Sequence, residues 1–223
     1  WFRLGDRNRA THLGRTGPWT EGGRLHQVTD HFGRAWSINS TVLPMSDQAV
    51  PTQVETVGGT LPFQEYFVRE GCQPEVRGFH FQDVELAEPA PGVLDAIQEA
   101  SLVVICPSNP WVSIDPILAV SPIQEYLARK PVLAVSPLIG GKAVKGPAAK
   151  MFREMGLEPS ARAVAEHYGA LLDGFVIDEE DQASLEDIQT LQSGSLSVFT
   201  ADTWMKTPQD RVRFAAEVLE MGK

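Results

Sequence analysis

The stretch Leu102-Val-Val-Ile-Cys-Pro-Ser-Asn-Pro-Trp-Val-Ser-Ile-Asp115 decides the fold of this chain. Its apolar beginning is rich in β-branched side chains, which is typical of a strand buried on both faces of a parallel sheet. Pro107 and Pro110 end the strand because proline has no backbone N–H to donate. Ser108 and Asn109 then place a hydroxyl and an amide at the carboxyl end of the strand, where open α/β sheets bind ligands. These residues are also an ordinary turn sequence, so both interpretations stay open.

Strands and helices alternate around this stretch. Apolar residues recur at helical spacing in 93–100 and 123–127, and a second apolar strand follows at 131–135. Such alternation indicates parallel pairing through right-handed crossovers. We therefore predict an α/β fold, a three-layer, Rossmann-like and mainly parallel sheet in which 102–106 and 131–135 are neighbours. The layers continue with predicted helices at 150–155, 163–172, 185–191 and 208–221 and predicted strands at 175–177 and 197–200.

The second strand ends like the first. Ser136-Pro137 follows it and leads into a glycine- and lysine-rich loop, 140–150. Glycine lets backbone approach a ligand closely, and Pro147 suits the first turn of a helix, whose free N–H groups favour anions. The loop matches neither the P-loop nor the dinucleotide fingerprint, so the pattern alone is a weak sign of phosphate binding. The residues predicted to converge on one ligand cleft are Ser108, Asn109, Ser136, Gly140, Gly141 and Lys150.

The first part of the chain differs from the rest. Residues 1–39 contain no convincing strand, and the apolar residues after the Gly22-Gly23 break recur at helical steps. We therefore divide the chain into a helical subdomain, 1–39, and a Rossmann-like α/β domain, 40–223. Within the second domain, 41–43 is predicted to be a short strand. Gly58-Gly59 separates two alternating stretches, which predicts an antiparallel hairpin region.

Three further features are each open to a structural or a functional interpretation. The basic residues within 7–15 are either a solvated helix face or an anion site. His80 is either a strand residue or a metal ligand, although a metal site needs further donors at suitable spacing. The carboxylates of 178–181 are either a solvated acidic loop or a Mg²⁺ site, but consecutive side chains point in different directions.

Composition excludes several classes of protein. The 223 residues suit one large domain or one domain with a small annex, and no apolar run approaches the ~18 residues of a membrane span. The 19 Lys and Arg against 29 Asp and Glu give a formal charge of −10, which argues against broad binding to nucleic acid or acidic lipid. Cys72 and Cys106 form neither a metal-ligand spacing nor a disulfide framework. With no initiator Met and no secretory leader, we expect a cytoplasmic protein and a sequence that begins inside a longer chain.

Short segments spread along the chain form an ordered set. They are Leu4-Gly-Asp-Arg-Asn-Arg-Ala-Thr-His12, Leu43-Pro-Met-Ser-Asp47, Phe63-Gln-Glu-Tyr-Phe67, Pro74-Glu-Val-Arg-Gly78, Pro107-Ser-Asn-Pro110, Ser113-Ile114, Pro116-Ile117, Ala134-Val-Ser-Pro137, Lys145-Gly-Pro-Ala-Ala-Lys150 and Ala201-Asp-Thr203. No single segment is diagnostic. As an ordered set they resemble the 2-phospho-L-lactate transferase family, whose members build the deazaflavin hydride carrier coenzyme F-420.

This resemblance implies an activity and its partners. Family members transfer a 2-phospholactyl or phosphoenolpyruvyl group from a diphosphoguanosine donor to the side-chain hydroxyl of the deazariboflavin Fo, release GMP and use Mg²⁺. By position, Arg3 matches a basic residue that contacts Fo, and Ser108 and Asn109 would lie in the ligand cleft. The implied partners are therefore Fo and the lactyl- or enolpyruvyl-diphosphoguanosine donor, with no nucleic acid and no membrane, and a homodimer is left open.

The chain also departs from the family pattern. The opening strand of the family, its Gly-rich nucleotide loop with Lys and its Ser-Pro-Asp-Leu-Asp-Thr-like segment do not occur here. The catalytic carboxylates are therefore expected upstream of Trp1, no catalytic or metal-ligating residue is assigned within the chain, and the chain alone is expected to be inactive. The alternative is a non-catalytic regulatory protein of the same fold that binds nucleotide sugars, but the matches at 4–7 and 74–78 favour the transferase.

Overall fold

The computed structural model of the chain describes residues 5–20 and 22–223. In chain order the strands are β1 (Thr52–Thr56), β2 (Gly59–Pro62), β3 (Val76–Phe81), β4 (Val103–Ile105), β5 (Val132–Val135), β6 (Leu138–Ile139), β7 (Lys142–Ala143), β8 (Gly174–Asp178) and β9 (Ser197–Ala201). The α-helices are α1 (Asp6–Thr20), α2 (Leu25–Ala35), α3 (Val93–Glu99), α4 (Asp115–Leu118), α5 (Ile123–Leu127), α6 (Ala148–Glu154), α7 (Ala161–Tyr168), α8 (Leu185–Gln189) and α9 (Pro208–Met221). Further helical turns, of 3₁₀ or π type, are Glu65–Arg69, Val84–Leu86, Pro110–Ile114, Gly169–Leu171, Glu179–Ser184 and Leu191–Gly194.

A parallel sheet with the strand order β4-β5-β8-β9 forms the centre of the fold. Val103 pairs with Val132, so the two apolar strands are neighbours, as the sequence predicts. Every residue of β5 and β8 is buried, whereas β4 is only partly buried because it lies at an edge of the sheet. Within the described ranges, none of the helices has the length and apolar character that a membrane span requires.

The two faces of the sheet pack against different layers. Leu133, Val135 and Val176 form one hydrophobic cluster with Phe214 and Val218 of α9. The side chains that alternate with these strand residues belong to a larger cluster on the other face, which includes residues of α5, α6 and α7. Alternation along fully buried strands therefore gives each face its own core, and the predicted three-layer α/β arrangement is confirmed.

The antiparallel region is a sheet with the order β2-β1-β3. The turn at 57–58 joins β1 to β2, and Gly59 has a φ of +119°, a conformation that favours glycine. The second strand of the predicted hairpin is shorter than expected, because Phe63 and Phe67 stack with 5.5 Å between ring centroids across a helical turn. This is the i, i+4 spacing of a helix rather than the alternation of a strand.

The predicted strand at 41–43 is wrong. These residues have no strand pairing, and Val42 is 47% exposed. The first pairing in this region is an isolated antiparallel bridge between Ser46 and Pro89. A strand needs a partner, and Pro44 removes a backbone donor directly after the predicted segment.

The described part of 1–39 contains the two helices α1 and α2. Asp47 connects α2 to the following domain, because its carboxylate accepts a 2.8 Å hydrogen bond from the His26 backbone and lies 2.6 Å from the His26 ring nitrogen Nδ1. Arg9 and His12 are exposed on α1, which favours the solvated-face interpretation for these two members of the basic cluster. The division into two domains stays an interpretation.

Candidate functional site

A cleft of about 560 Å³ lies at the carboxyl ends of β4 and β5. Parallel neighbouring strands bring their carboxyl ends to the same edge of a sheet, so the residues after both strands meet there. Trp204 and Arg211, which follow β9 in the chain, also line the cleft. The lining residues fall within 63–67, 107–113, 136–139, 144–148 and 203–211.

Three of the predicted site residues, Ser108, Asn109 and Ser136, line this cleft. The predicted loop contributes its middle part, 144–148, to the same lining. The cleft therefore unites the two strand ends and part of the loop. Whether each residue contacts a ligand depends on what its polar atoms already bind.

Ser136 uses its hydroxyl within its own turn. The Oγ atom donates to the Leu138 carbonyl at 3.1 Å and accepts from the Leu138 N–H at 3.2 Å. Only 2% of the residue is exposed. The hydroxyl therefore shapes the turn after β5, because it bonds both backbone groups of Leu138.

Asn109 also binds its own chain. Its Oδ1 accepts a 3.1 Å hydrogen bond from the Trp111 N–H and so caps the helical turn that begins at Pro110. Its Nδ2 donates toward the Met151 sulfur at 3.1 Å. An asparagine before a proline at the start of a helical turn is a known capping arrangement, so the amide has a positioning role in addition to lining the cleft.

Replacing Asn109 by Ala is therefore expected to lower the free energy of unfolding by about 1 kcal/mol, the usual scale of a lost cap. Urea unfolding measures this change. Ser108→Ala is the matched control, because no hydrogen bond joins the Ser108 side chain to another described residue. An unchanged stability of Asn109→Ala would contradict the capping role, and a loss of ligand affinity without that change would restore a direct contact.

Four polar side chains of the cleft have no such partner. No hydrogen bond or ion pair joins them to another described side chain or backbone group, and the two cationic ones are exposed. They are Ser108, Ser113, Lys145 and Arg211. Hydroxyl, ammonium and guanidinium groups are all hydrogen-bond donors, so this set suits an anion with several oxygens.

Gly140 and Gly141 lie outside the lining and turn the chain between β6 and β7. Their φ angles are +55° and +70°, and a Cβ on Gly141 would lie 2.9 Å from the Pro159 carbonyl oxygen. The Gly140 N–H donates to Asp181 at 3.1 Å. Burial raises the pKa of that carboxyl, and the N–H of Gly140 opposes the rise. The close approach that these glycines allow is thus to their own chain.

Lys150 lies outside the lining as well. Its Nζ donates to the Pro74 carbonyl at 3.1 Å and pairs with Glu154 at 2.5 Å. Glu154 in turn accepts from the Val76 N–H at 3.1 Å. The lysine therefore ties α6 to the beginning of β3 through backbone groups of Pro74 and Val76.

The other residues that the sequence singled out do not line the cleft or are not described. Arg3 lies outside the described residues. His80 is exposed and its Nδ1 lies 3.5 Å from Glu55, an arrangement that suits a strand residue. Asp178 is buried and binds backbone and hydroxyl donors. Nowhere in 5–20 or 22–223 do three or more His, Cys, Asp or Glu side chains form a group that could hold a metal ion.

Sequence reasoning missed part of the cleft wall. Phe63, Phe67 and Trp204 bring aromatic rings to it, and Ser113 and Arg211 bring donors. The sequence gives one indication that the chain near Trp204 reaches the cleft. Ala201-Asp-Thr203 follows a predicted strand, as Pro107-Ser-Asn-Pro110 and Ser136-Pro137 do. The other residues reach the cleft only through the packing of distant elements.

The fold and the cleft define an α/β protein with a candidate binding cleft at the carboxyl edge of a parallel sheet. The profile of the family described as 2-phospho-L-lactate transferase CofD matches residues 2–216, and the chain belongs to this family.

Similar proteins agree with this assignment. The chain is 40% identical to the 2-phospho-L-lactate transferase of Methanopyrus kandleri, over 99% of this chain and 70% of that protein. It is 45% identical to the phosphoenolpyruvate transferase of Thermobifida fusca, over 81% of this chain and 58% of that protein. It is 41% identical to the 2-phospho-L-lactate transferase of Methanosarcina mazei, over 82% of this chain and 60% of that protein. The chain therefore spans about 58–70% of the length of these relatives.

A solved structure shares the fold. Protein BH3568 from Bacillus halodurans superposes with a TM-score of 0.64 over 93% of this chain and 70% of that one. The sequence identity is 14%, so the likeness concerns the fold alone.

Proposed function

We propose that the chain belongs to an enzyme that transfers a 2-phospholactyl or phosphoenolpyruvyl group from a diphosphoguanosine donor to the hydroxyl of the deazariboflavin Fo. The observation that carries the proposal is the family match over residues 2–216. Relatives named as 2-phospho-L-lactate transferase and as phosphoenolpyruvate transferase match at similar identity, so both donor types are retained.

In this reaction the acceptor hydroxyl oxygen attacks the donor phosphorus that carries the lactyl or enolpyruvyl group. A new P–O bond forms, the bond to the second phosphate breaks, and GMP leaves with the bonding electron pair while the hydroxyl loses its proton. Lys145 and Arg211 suit the negative charge of the diphosphate and of the departing GMP. The Ser108 and Ser113 hydroxyls suit its oxygens, since positioning and charge neutralisation dominate such transfers.

The described residues of the cleft do not supply every group that the reaction needs. No Asp, Glu or His is among the described residues that line it, so we assign them binding and orientation and no proton transfer. Among the described residues, no group of three or more His, Cys, Asp or Glu side chains fits Mg²⁺. A Mg²⁺ requirement stays a prediction that rests on the family resemblance.

The test is an assay of GMP release with Fo as acceptor. The complete protein is expected to release GMP with a lactyl- or enolpyruvyl-diphosphoguanosine donor and to make the corresponding Fo phosphodiester. The 223-residue chain is expected to bind ligands without turnover. Binding of uracil nucleotide sugars in preference to guanine nucleotides, without any transfer, would instead support the non-catalytic regulatory class.

A further inference from the structure

The connection between β9 and α9 places a tryptophan in the wall of the cleft. Trp204 lines the cleft and is 45% exposed, whereas its neighbour Thr203 is 6% exposed. A half-exposed indole offers a large apolar surface beside polar groups. The chemistry described above makes no use of this ring.

Hydrogen bonds at 202–204 hold the backbone that carries Trp204. Thr203 donates through its N–H at 2.9 Å and its hydroxyl at 2.7 Å to the buried Asp178 carboxylate. The Trp204 N–H donates to Asp202 at 3.2 Å, and Arg213 donates to the Asp202 carbonyl at 2.9 Å. A ring on a fixed backbone loses little further freedom when a ligand binds, which favours affinity.

One face of the indole already has a partner. The Lys206 ammonium lies 3.9 Å from the centroid of the Trp204 ring, a cation–π contact. Lys206 is not among the residues that line the cleft, whereas Trp204 is. Because Lys206 occupies one face of the ring, a ligand that stacks on the indole would use the opposite face.

We propose that Trp204 is the stacking surface for a planar heteroaromatic ring of the bound ligand. This inference rests on the proposed function, in which the donor carries a guanine and the acceptor carries a deazaflavin. Both rings have the chemistry that stacks on an indole. Trp204 is preferred to the stacked Phe63–Phe67 pair because its ring is larger and because Arg211, a cation for the ligand's phosphates, lines the same cleft.

Calorimetric titration of the complete protein tests this assignment with Fo, GDP and inorganic diphosphate as separate probes. Trp204→Leu is expected to lower the affinity for Fo or for GDP roughly tenfold or more, as base–aromatic stacking would. Trp204→Phe should retain most of the affinity. It should also reduce the quenching of tryptophan fluorescence that the ligand causes when it binds, because the quenched indole is gone. The matched control is Trp36→Leu, because Trp36 is 55% exposed and does not line the cleft.

The outcomes separate this inference from the proposed function. A loss for Fo alone assigns the ring to the acceptor, and a loss for GDP alone assigns it to the donor, with diphosphate binding unchanged in both cases. If the wild-type protein binds the probes and Trp204→Leu binds them as tightly, or loses diphosphate to the same extent, the stacking role is overturned while the transferase stands. If the wild-type protein binds neither Fo nor GDP, the proposed function fails and the inference fails with it.

Discussion

Replacing Lys145 and Arg211 together by Ala is expected to weaken binding of a guanosine diphosphate ligand about 100-fold. Both side chains line the cleft, and neither has an ion pair with another described residue. A hydrogen bond to a charged group contributes about 1.5–3 kcal/mol, and each ~1.4 kcal/mol is a factor of ten in affinity. Two such contacts therefore reach this scale even after solvent screening of exposed groups reduces each one.

The measurement is calorimetric titration at fixed ionic strength, repeated at higher salt. The matched control is the pair Lys142→Ala and Arg153→Ala, which removes the same charge from exposed residues outside the lining. This pair should bind within about twofold of the wild-type protein at moderate salt, since distant charges are screened. Equal losses in both pairs would show that only the overall field matters, and would remove Lys145 and Arg211 from the site.

Asp178→Ala is expected to lower the free energy of unfolding by about 3 kcal/mol. The carboxylate is 5% exposed and accepts hydrogen bonds from the Thr203 N–H, the Thr203 hydroxyl and the Glu180 N–H. Each buried donor left without a partner costs about 1–3 kcal/mol. The loss is large because domains of this kind are stable by only about 5–15 kcal/mol.

Urea unfolding measures the loss, and Glu179→Ala is the control because Glu179 is the exposed neighbour in the same acidic run. The control should stay within about 0.5 kcal/mol of the wild-type protein. Thr203→Val removes only the hydroxyl and should give a smaller loss than Asp178→Ala. A loss below about 1 kcal/mol for Asp178→Ala would contradict the role of this carboxylate as the anchor of the β9–α9 connection.

The parallel sheet could be predicted from the sequence because its inner strands are buried on both faces. β5 and β8 appear as unbroken apolar runs between helical patterns, and the chain offers no competing period there. The segment at 41–43 shows the limit of this reasoning. Its residues favour a strand by propensity, but a strand forms only where a partner lies, and partner positions are set by the tertiary fold.

The location of the cleft could also be predicted, because polar residues after two neighbouring parallel strands must meet. The sequence could not show which of these polar groups are already hydrogen-bonded within the protein. Ser136 and Asn109 bond to their own turns, and Lys150 bonds across to Pro74, a contact between residues far apart in the chain. Local turn and cap signals anticipate the first two, whereas the third depends on how α6 packs beside β3.

The separation of occupied from unoccupied polar groups has a consequence for inhibitor design. A compound that seeks a hydrogen bond from Ser136 must first break its bonds to Leu138, so the exchange yields little net affinity. A compound that directs an acidic group at Lys145 or Arg211 breaks no ion pair with another described residue. Medicinal chemistry on this cleft should therefore place its anionic group at those two cations and leave the Ser136 turn undisturbed.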